Sequence, residues 1–302
     1  MIRPPRLRPG DLVRVVAPSG PVPREAFLAG AAVLGARYDL RFDEGVFARE
    51  GFLAGPDERR LGELAAALGD PDARAVVMAR GGYGLLRLLP FLDPALLAAR
   101  PRPLVGFSDG TALLAYAARA GVAAVHGPVV TQLGNLGEGD QRALFDILEN
   151  PNPGVLLTGL GPVIPGRASG PLLGGNLEVF SRLIGTRYLP ALDGAILFLE
   201  DLGERPYRID RMLTALDLAG VFDAVSAVVV GDFTGCDEPE ATRAQSPTAE
   251  EVLIERLGRL PIPVVVGAAV GHGSRNRALP YGTLCELDAF SGVLTAVEGV
   301  VI

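Results

Sequence analysis

LVGFSDGTALLAYAARA, residues 104–120, carries a short apolar run into a serine set between glycines and then into an alanine- and leucine-rich stretch. The run Leu104–Phe107 reads as a strand and residues 111–120 as the helix after it. The same alternation extends outward. LVRVVA (12–17) predicts a strand stopped by Pro18-Ser19-Gly20-Pro21. Residues 23–36 and 57–69 predict helices, AVVMA (75–79) a strand running into Arg80-Gly81-Gly82-Tyr83-Gly84, and residues 122–125 another strand. Strands that are apolar on both faces and separated by helices indicate a parallel sheet covered on both sides. Ligands of such sheets sit beyond the carboxyl ends of the strands, where the loops at 18–21, 80–84 and 107–110 fall.

Turn formers gather at Asn150-Pro151-Asn152-Pro153-Gly154 and again at 159–162, marking a linker. The expected organisation is α/β: an N-terminal Rossmann-like parallel-sheet domain at 1–150, a linker at 151–169, and a smaller C-terminal α/β domain with a mixed sheet at 170–302. In that second block, strands are expected at 195–199, 224–230, 263–266 and 282–287, with a helix at 207–219. A chain of 302 residues can bury its core without disulfides or metals. It contains no Trp, so the core rests on Val, Leu, Ile and Ala.

A net charge of −7 argues against nucleic acid as a partner, because phosphate binding needs clustered Lys and Arg. The basic start is not followed by a long apolar run, and no uncharged stretch reaches the roughly 18 residues of a membrane span. A cytoplasmic address is expected. Cys236 and Cys285 are expected to be reduced and buried, with no metal site.

Gly106-Phe107-Ser108-Asp109-Gly110 fits G-x-S-x-G at a strand-to-helix turn. Such a turn lifts a hydroxyl above the sheet edge and aims a helix N-terminus at the reacting carbonyl. The pattern equally fits a helix cap made by Ser108 or Asp109. A serine nucleophile needs a base, and the only histidines are His126 and His272. His272 lies between glycines after an apolar run, where small neighbours leave room for substrate; it is the preferred base, with His126 a lining or structural residue. Glu200 ends the apolar run Leu197-Phe198-Leu199, so its charge needs a partner that an imidazole can supply. Asp201 and Glu204 lie further along and read as solvated or capping. The Arg80–Gly84 glycines can turn backbone N–H groups toward an oxyanion, or simply form a turn. The stretch GPLLGGN (170–176) lacks the Lys and Ser/Thr of a phosphate loop.

Taken together, these residues resemble the LD-carboxypeptidase family, whose other branch contains microcin C self-immunity proteins. The likeness runs nearly end to end: APSGP (17–21), RGGYG (80–84), GFSDGTALL (106–114), HGP (126–128), GPLLGGNL (170–177), LEDLGERPYRIDRML (199–213) and the Gly-His-Gly of 271–273. The resemblance implies a Ser-Glu-His triad at Ser108, Glu200 and His272, with oxyanion donors from the backbone of Gly82 and Asp109. It also implies an active site between the two domains, a homodimer, and no metal or organic cofactor. The implied reaction removes a C-terminal D-Ala from murein tetrapeptide, a small peptide substrate, with no nucleic acid or membrane involved. Arg80, Arg275 and Arg277 are candidates for gripping the substrate carboxylate. The self-immunity reaction on a peptidyl-nucleotide would favour an aromatic platform, for which the chain offers Tyr or Phe but no Trp. A general α/β-hydrolase esterase and a non-catalytic two-domain binder are the remaining alternatives.

Overall fold

The computed structural model describes residues 1–302, leaving aside the side chain of residue 242. Its residues fall into two compact units: Met1–Pro153 with Arg277–Gly282 and Gly299–Ile302, and Gly154–Asn276 with Thr283–Glu298.

In the first unit, β1 (Leu12–Val16), β2 (Asp39–Arg41), β3 (Ala75–Met78), β4 (Leu104–Gly106) and β5 (Ala124–His126) form a parallel sheet in the order β2-β1-β3-β4-β5. The strand order reverses between β1 and β3, so the loops after β1, β3 and β4 cluster where α/β sheets hold ligands. β3, β4 and β5 are buried along their whole length, which is why they read as unbroken apolar runs. The helix Thr111–Arg119 is buried from Thr111 to Ala118. Its alanines are small enough for packing on every side, and a helix that is apolar all round belongs in an interior.

The second unit holds β6 (Val155–Leu157), β7 (Gly161–Ile164), β8 (Arg167–Asn176), β9 (Ile196–Leu202), β10 (Ala227–Thr234), β11 (Val264–Val266), β13 (Leu284–Asp288) and β14 (Val293–Ala296). Their order is β6-β14-β13-β8-β9-β10-β11-β7. The run β8-β9-β10-β11 is parallel and the flanking strands are antiparallel, which gives the mixed sheet expected. Helices Leu177–Ser181, Pro206–Leu218 and Ala249–Leu257 connect or follow the parallel strands.

Two boundaries differ from the reading of the sequence. Residues 151–169, expected as a linker, hold β6 and β7 and the start of β8. Gly154, Gly159 and Gly166 have positive φ and turn the chain between them, so the turn formers punctuate a sheet. The stretch 170–302 does not stay in one unit: Leu279–Tyr281 (β12) adds an antiparallel edge to β5 of the first sheet. No helix among the described residues is long and apolar enough to cross a membrane.

Candidate active site

In the first unit, β4 ends in a short 3-10 turn, Ser108–Gly110, that leads into the helix Thr111–Arg119. Ser108 has φ +60°, the one positive value at a non-glycine residue among the described residues. L-residues pay for that conformation and it persists only where surrounding contacts hold it. Here the contacts are visible. A Cβ on Gly81 would stand 2.6 Å from Ser108 Cβ and 2.9 Å from its Oγ, so only glycine lets the loop after β3 approach this closely. Neither the turn nor the helix has a side-chain cap, so Ser108 and Asp109 are not the capping residues that the pattern also allowed.

Asp109 is buried and ties the three loops together. Its carboxylate accepts from the Ser19 hydroxyl (2.6 Å), in the loop after β1, and from the Leu85 amide (2.9 Å), in the segment after β3. Burial pushes its carboxyl up to about 6, against the Ser19 and Leu85 hydrogen bonds and the nearby Arg60 guanidinium. Gly82, the other residue expected at an oxyanion, has φ +111° and sits exposed beside Gly81. His126 is fully buried on β5, with its ring edge-on to Phe107 at 5.4 Å, which makes it part of this unit's interior.

In the second unit, β9 carries Glu200, fully buried, with Oε2 2.8 Å from His272 Nδ1. Burial raises the carboxyl above its ordinary value, and the hydrogen bond and charge of His272 oppose the rise. The imidazole is thus the compensation a strand-end carboxylate requires. Glu204 instead pairs with Arg208, one helical turn on, at 3.4 Å. Asp201 is buried and belongs to β9. It accepts from the Glu178 amide (3.0 Å), from Asn176 Nδ2 (3.0 Å) and from the Leu202 amide (2.7 Å), and so holds the start of the helix Leu177–Ser181. Burial pushes its carboxyl up to about 7, with the neighbouring Glu200 charge adding to the rise.

Two residues at this site escaped the sequence reading. Asp232 lies where the β9–β10 register shifts, a kind of irregularity that re-aims side chains. Its amide donates to the Val270 carbonyl (2.8 Å), and its carboxylate accepts from the Gly273 amide. A Cβ at Gly273 would fall 2.3 Å from Asp232 Oδ2, which explains that glycine. On the other side of the histidine, Asn276 is buried and its Oδ1 accepts from the Gly271 amide (3.1 Å). The His272 loop is therefore clamped at both flanking glycines. Asp232 could have been noticed as a charge one glycine after the apolar run 227–230, but nothing in the sequence ties it to residue 273.

The three candidate arginines separate. Arg80 donates to the Pro21 carbonyl, Arg275 is exposed and near Asp232, and Arg277 donates to the Gly139 carbonyl (3.3 Å) with Asp140 at 4.0 Å. Residues 170–176 are β8 strand, ending in Asn176, whose Oδ1 caps the next helix through the Val179 amide. Cys236 and Cys285 are free and buried, with thiols pushed by burial up to about 11 and about 12.

A family model for the LD-carboxypeptidase N-terminal domain matches residues 13–127, and one for the LD-carboxypeptidase C-terminal domain matches residues 169–287. A putative carboxypeptidase of Streptomyces coelicolor is 40% identical, covering 98% of this chain and 96% of its own. The murein tetrapeptide carboxypeptidase of Pseudomonas aeruginosa is 37% identical over 91% of this chain and 92% of its own. The crystal structure of a muramoyltetrapeptide carboxypeptidase from Oxalobacter formigenes superposes with a TM-score of 0.82 at 29% identity, covering 94% of this chain and 97% of that one. The microcin C7 self-immunity protein of Escherichia coli is 28% identical over 78% of this chain and 77% of its own.

Proposed function

The chain belongs to the LD-carboxypeptidase family, and from that premise we propose that it is a serine carboxypeptidase releasing D-alanine from murein tetrapeptide. Ser108, Glu200 and His272 act as its triad. The observation that carries the assignment is the pair made by the fully buried Glu200 carboxylate and His272 Nδ1 at 2.8 Å. A carboxylate on Nδ1–H fixes the imidazole tautomer, so that Nε2 is the basic nitrogen.

In the proposed mechanism, His272 Nε2 takes the Ser108 hydroxyl proton as Oγ attacks the carbonyl before the terminal D-alanine. The amide N–H groups of Gly82 and Asp109 stabilise the oxyanion. The imidazolium, stabilised by Glu200, returns its proton to the leaving amine, and the acyl-enzyme ester forms. Water, deprotonated by His272, then hydrolyses that ester and restores the Ser108 hydroxyl. The strained Ser108 backbone supports this role over a non-catalytic binder, since strain of this kind collects where a side chain must be held for chemistry. The identities of 37% to the murein enzyme and 28% to the self-immunity protein favour a peptide over a peptidyl-nucleotide substrate. The working form is proposed to be a cytoplasmic homodimer, which sedimentation of the purified protein and fractionation of the cells test directly.

The function is tested by D-alanine release from L-Ala-γ-D-Glu-meso-diaminopimelate-D-Ala alongside labelling with a fluorophosphonate. Wild type releases D-alanine and is labelled; Ser108→Ala does neither. Undiminished release by Ser108→Ala ends the proposal.

A further inference from the structure

A cavity of about 830 Å³ opens in the first unit beside the Ser108 loop. Its walls are the loop after β1 (20–23), the segment 47–52 and the loop after β3 (80–83), and Gly82 is one of its lining residues. Gly81, the next residue back, is the one in close contact with Ser108. The cavity therefore begins at the candidate oxyanion loop.

Its lining is chemically lopsided. Arg49 and Arg80 both face it, and no carboxylate is among the described residues that line it. Arg49 donates to the Gly51 carbonyl (3.4 Å) and Arg80 to the Pro21 carbonyl; neither is paired with an acid. The contrast with Arg24 close by is direct, since that guanidinium lies over the Phe47 ring at 3.9 Å and pairs with Glu44 at 2.7 Å. In a chain of net charge −7 that contains no lysine, two unneutralised guanidinium groups in one cavity are a local reversal of sign. At the rim, Phe52 and Tyr83 meet edge to face at 5.7 Å while remaining 65% and 47% exposed. Exposed rings in contact offer apolar cover for an aliphatic chain without having to be ordered by it.

We infer that this cavity is the subsite for the acyl side of the substrate, and that Arg49, assisted by Arg80, binds a carboxylate carried by that part of the peptide. The inference rests on the carboxypeptidase reading above and adds the specificity-determining residue to it. Size assigns the side: an open groove of this volume, within the roughly 300–1,000 Å³ range of ligand sites, has room for several residues of a peptide, whereas the leaving group is a single alanine. Charge assigns the group: a guanidinium fork matches a carboxylate and pays for it with charge-assisted hydrogen bonds. The rings of Phe52 and Tyr83 cover the methylenes between successive amides.

The test is titration calorimetry with the tripeptide L-Ala-γ-D-Glu-L-Lys and with its counterpart in which the D-glutamyl α-carboxylate is an amide, while D-alanine release from the matching tetrapeptides is followed in parallel. Wild type is expected to bind the acid about tenfold more tightly than the amide, the size of one partly exposed charge-assisted contact. Arg49→Ala is expected to abolish the preference, and in turnover the loss falls on KM more than on kcat. Arg49→Lys restores only part of it, because a point charge lacks the fork. Equal binding of acid and amide by wild type, or a preference that survives in Arg49→Ala, overturns the subsite whether or not the tetrapeptide is cleaved. A preference that disappears with Arg49 while no D-alanine is released from either peptide upholds the subsite and refutes only the carboxypeptidase reading.

Discussion

Replacing Glu200 with glutamine separates catalysis from stability at this site. The side chain is fully buried with one oxygen 2.8 Å from His272 Nδ1. Glutamine keeps the shape and can still accept from Nδ1–H, but it brings no charge to meet the imidazolium formed during acylation. Two unit charges about 4 Å apart at an effective dielectric of about 20 attract by about 4 kcal/mol. The neutral hydrogen bond that remains offsets a quarter of that, about 1 kcal/mol. A loss of about 3 kcal/mol from the transition state lowers kcat by about 10²-fold, at tenfold per 1.36 kcal/mol. It should leave KM nearly alone. Stability moves the other way. Burial raises the folded pKa of Glu200 above its ordinary value, so the contribution of this group is fully present below the ordinary glutamate range and is lost as pH rises through the raised value. The glutamine variant does not carry that loss and should melt higher than wild type at pH 8, with the difference shrinking toward pH 4. Glu204→Gln, whose partner is Arg208 on a helix surface, should change kcat less than threefold. The assay is D-alanine release with melting curves at both pH values. Full activity in Glu200→Gln, or equal losses in Glu204→Gln, would refute the assignment of the orienting carboxylate.

Ser108→Gly should abolish turnover yet raise the melting temperature by about 2 °C, since a left-handed φ costs an L-residue about 1 kcal/mol; a lower melting point would deny the strain. Gly81→Ala puts a methyl 2.6 Å from Ser108 Cβ and should lower kcat at least 10²-fold, an effect visible as slowed fluorophosphonate labelling; unchanged labelling counts against the close approach. Asp109, with its carboxyl raised to about 6, contributes stability that is complete below the ordinary aspartate range and fades as pH passes about 6. Unfolding free energies of Asp109→Asn and wild type from urea titrations should therefore converge or cross between pH 4.5 and pH 8, by a change on the order of 2 kcal/mol, the part of the shift that falls in that range; a constant difference across that range would rule out the buried acid as its source.

How much of this could be read from the chain depends on whether the cause is local. β3 and β4 were legible because burial on all sides leaves uninterrupted apolar residues, and β1 and the helix at 111–119 because their apolar runs are broken only by an isolated polar or charged residue; period and length then decide. The sharp turn at Ser108 was legible because a strand-to-helix turn with no room for a side chain demands glycines nearby, and the pairing of Glu200 because a charge ending an apolar run needs a partner. β12 was not legible: Leu279–Tyr281 is three residues long, and what makes it a strand is the exposed edge of β5, 153 positions earlier at the Leu279–His126 pair. The strands at 155–164 were hidden by their own turns, since glycine and proline punctuate a short-stranded sheet as densely as they do a linker. The clamp on the His272 loop lies beyond reading for a further reason. Asp232 and Asn276 are bonded to the amides of Gly273 and Gly271, and a backbone amide carries no sequence signal about who its partner is. The sequence therefore exposes the groups that would do the chemistry more readily than those that hold them still. For that reason Asp232→Asn is the sharper probe of the loop: an amide oxygen can still accept from Gly273, so geometry is kept while one charge near the imidazole is removed. A catalytic pH profile displaced toward acid with little change in maximal rate would mark Asp232 as an electrostatic neighbour of His272 as well as its anchor, and an unshifted profile would leave it an anchor only.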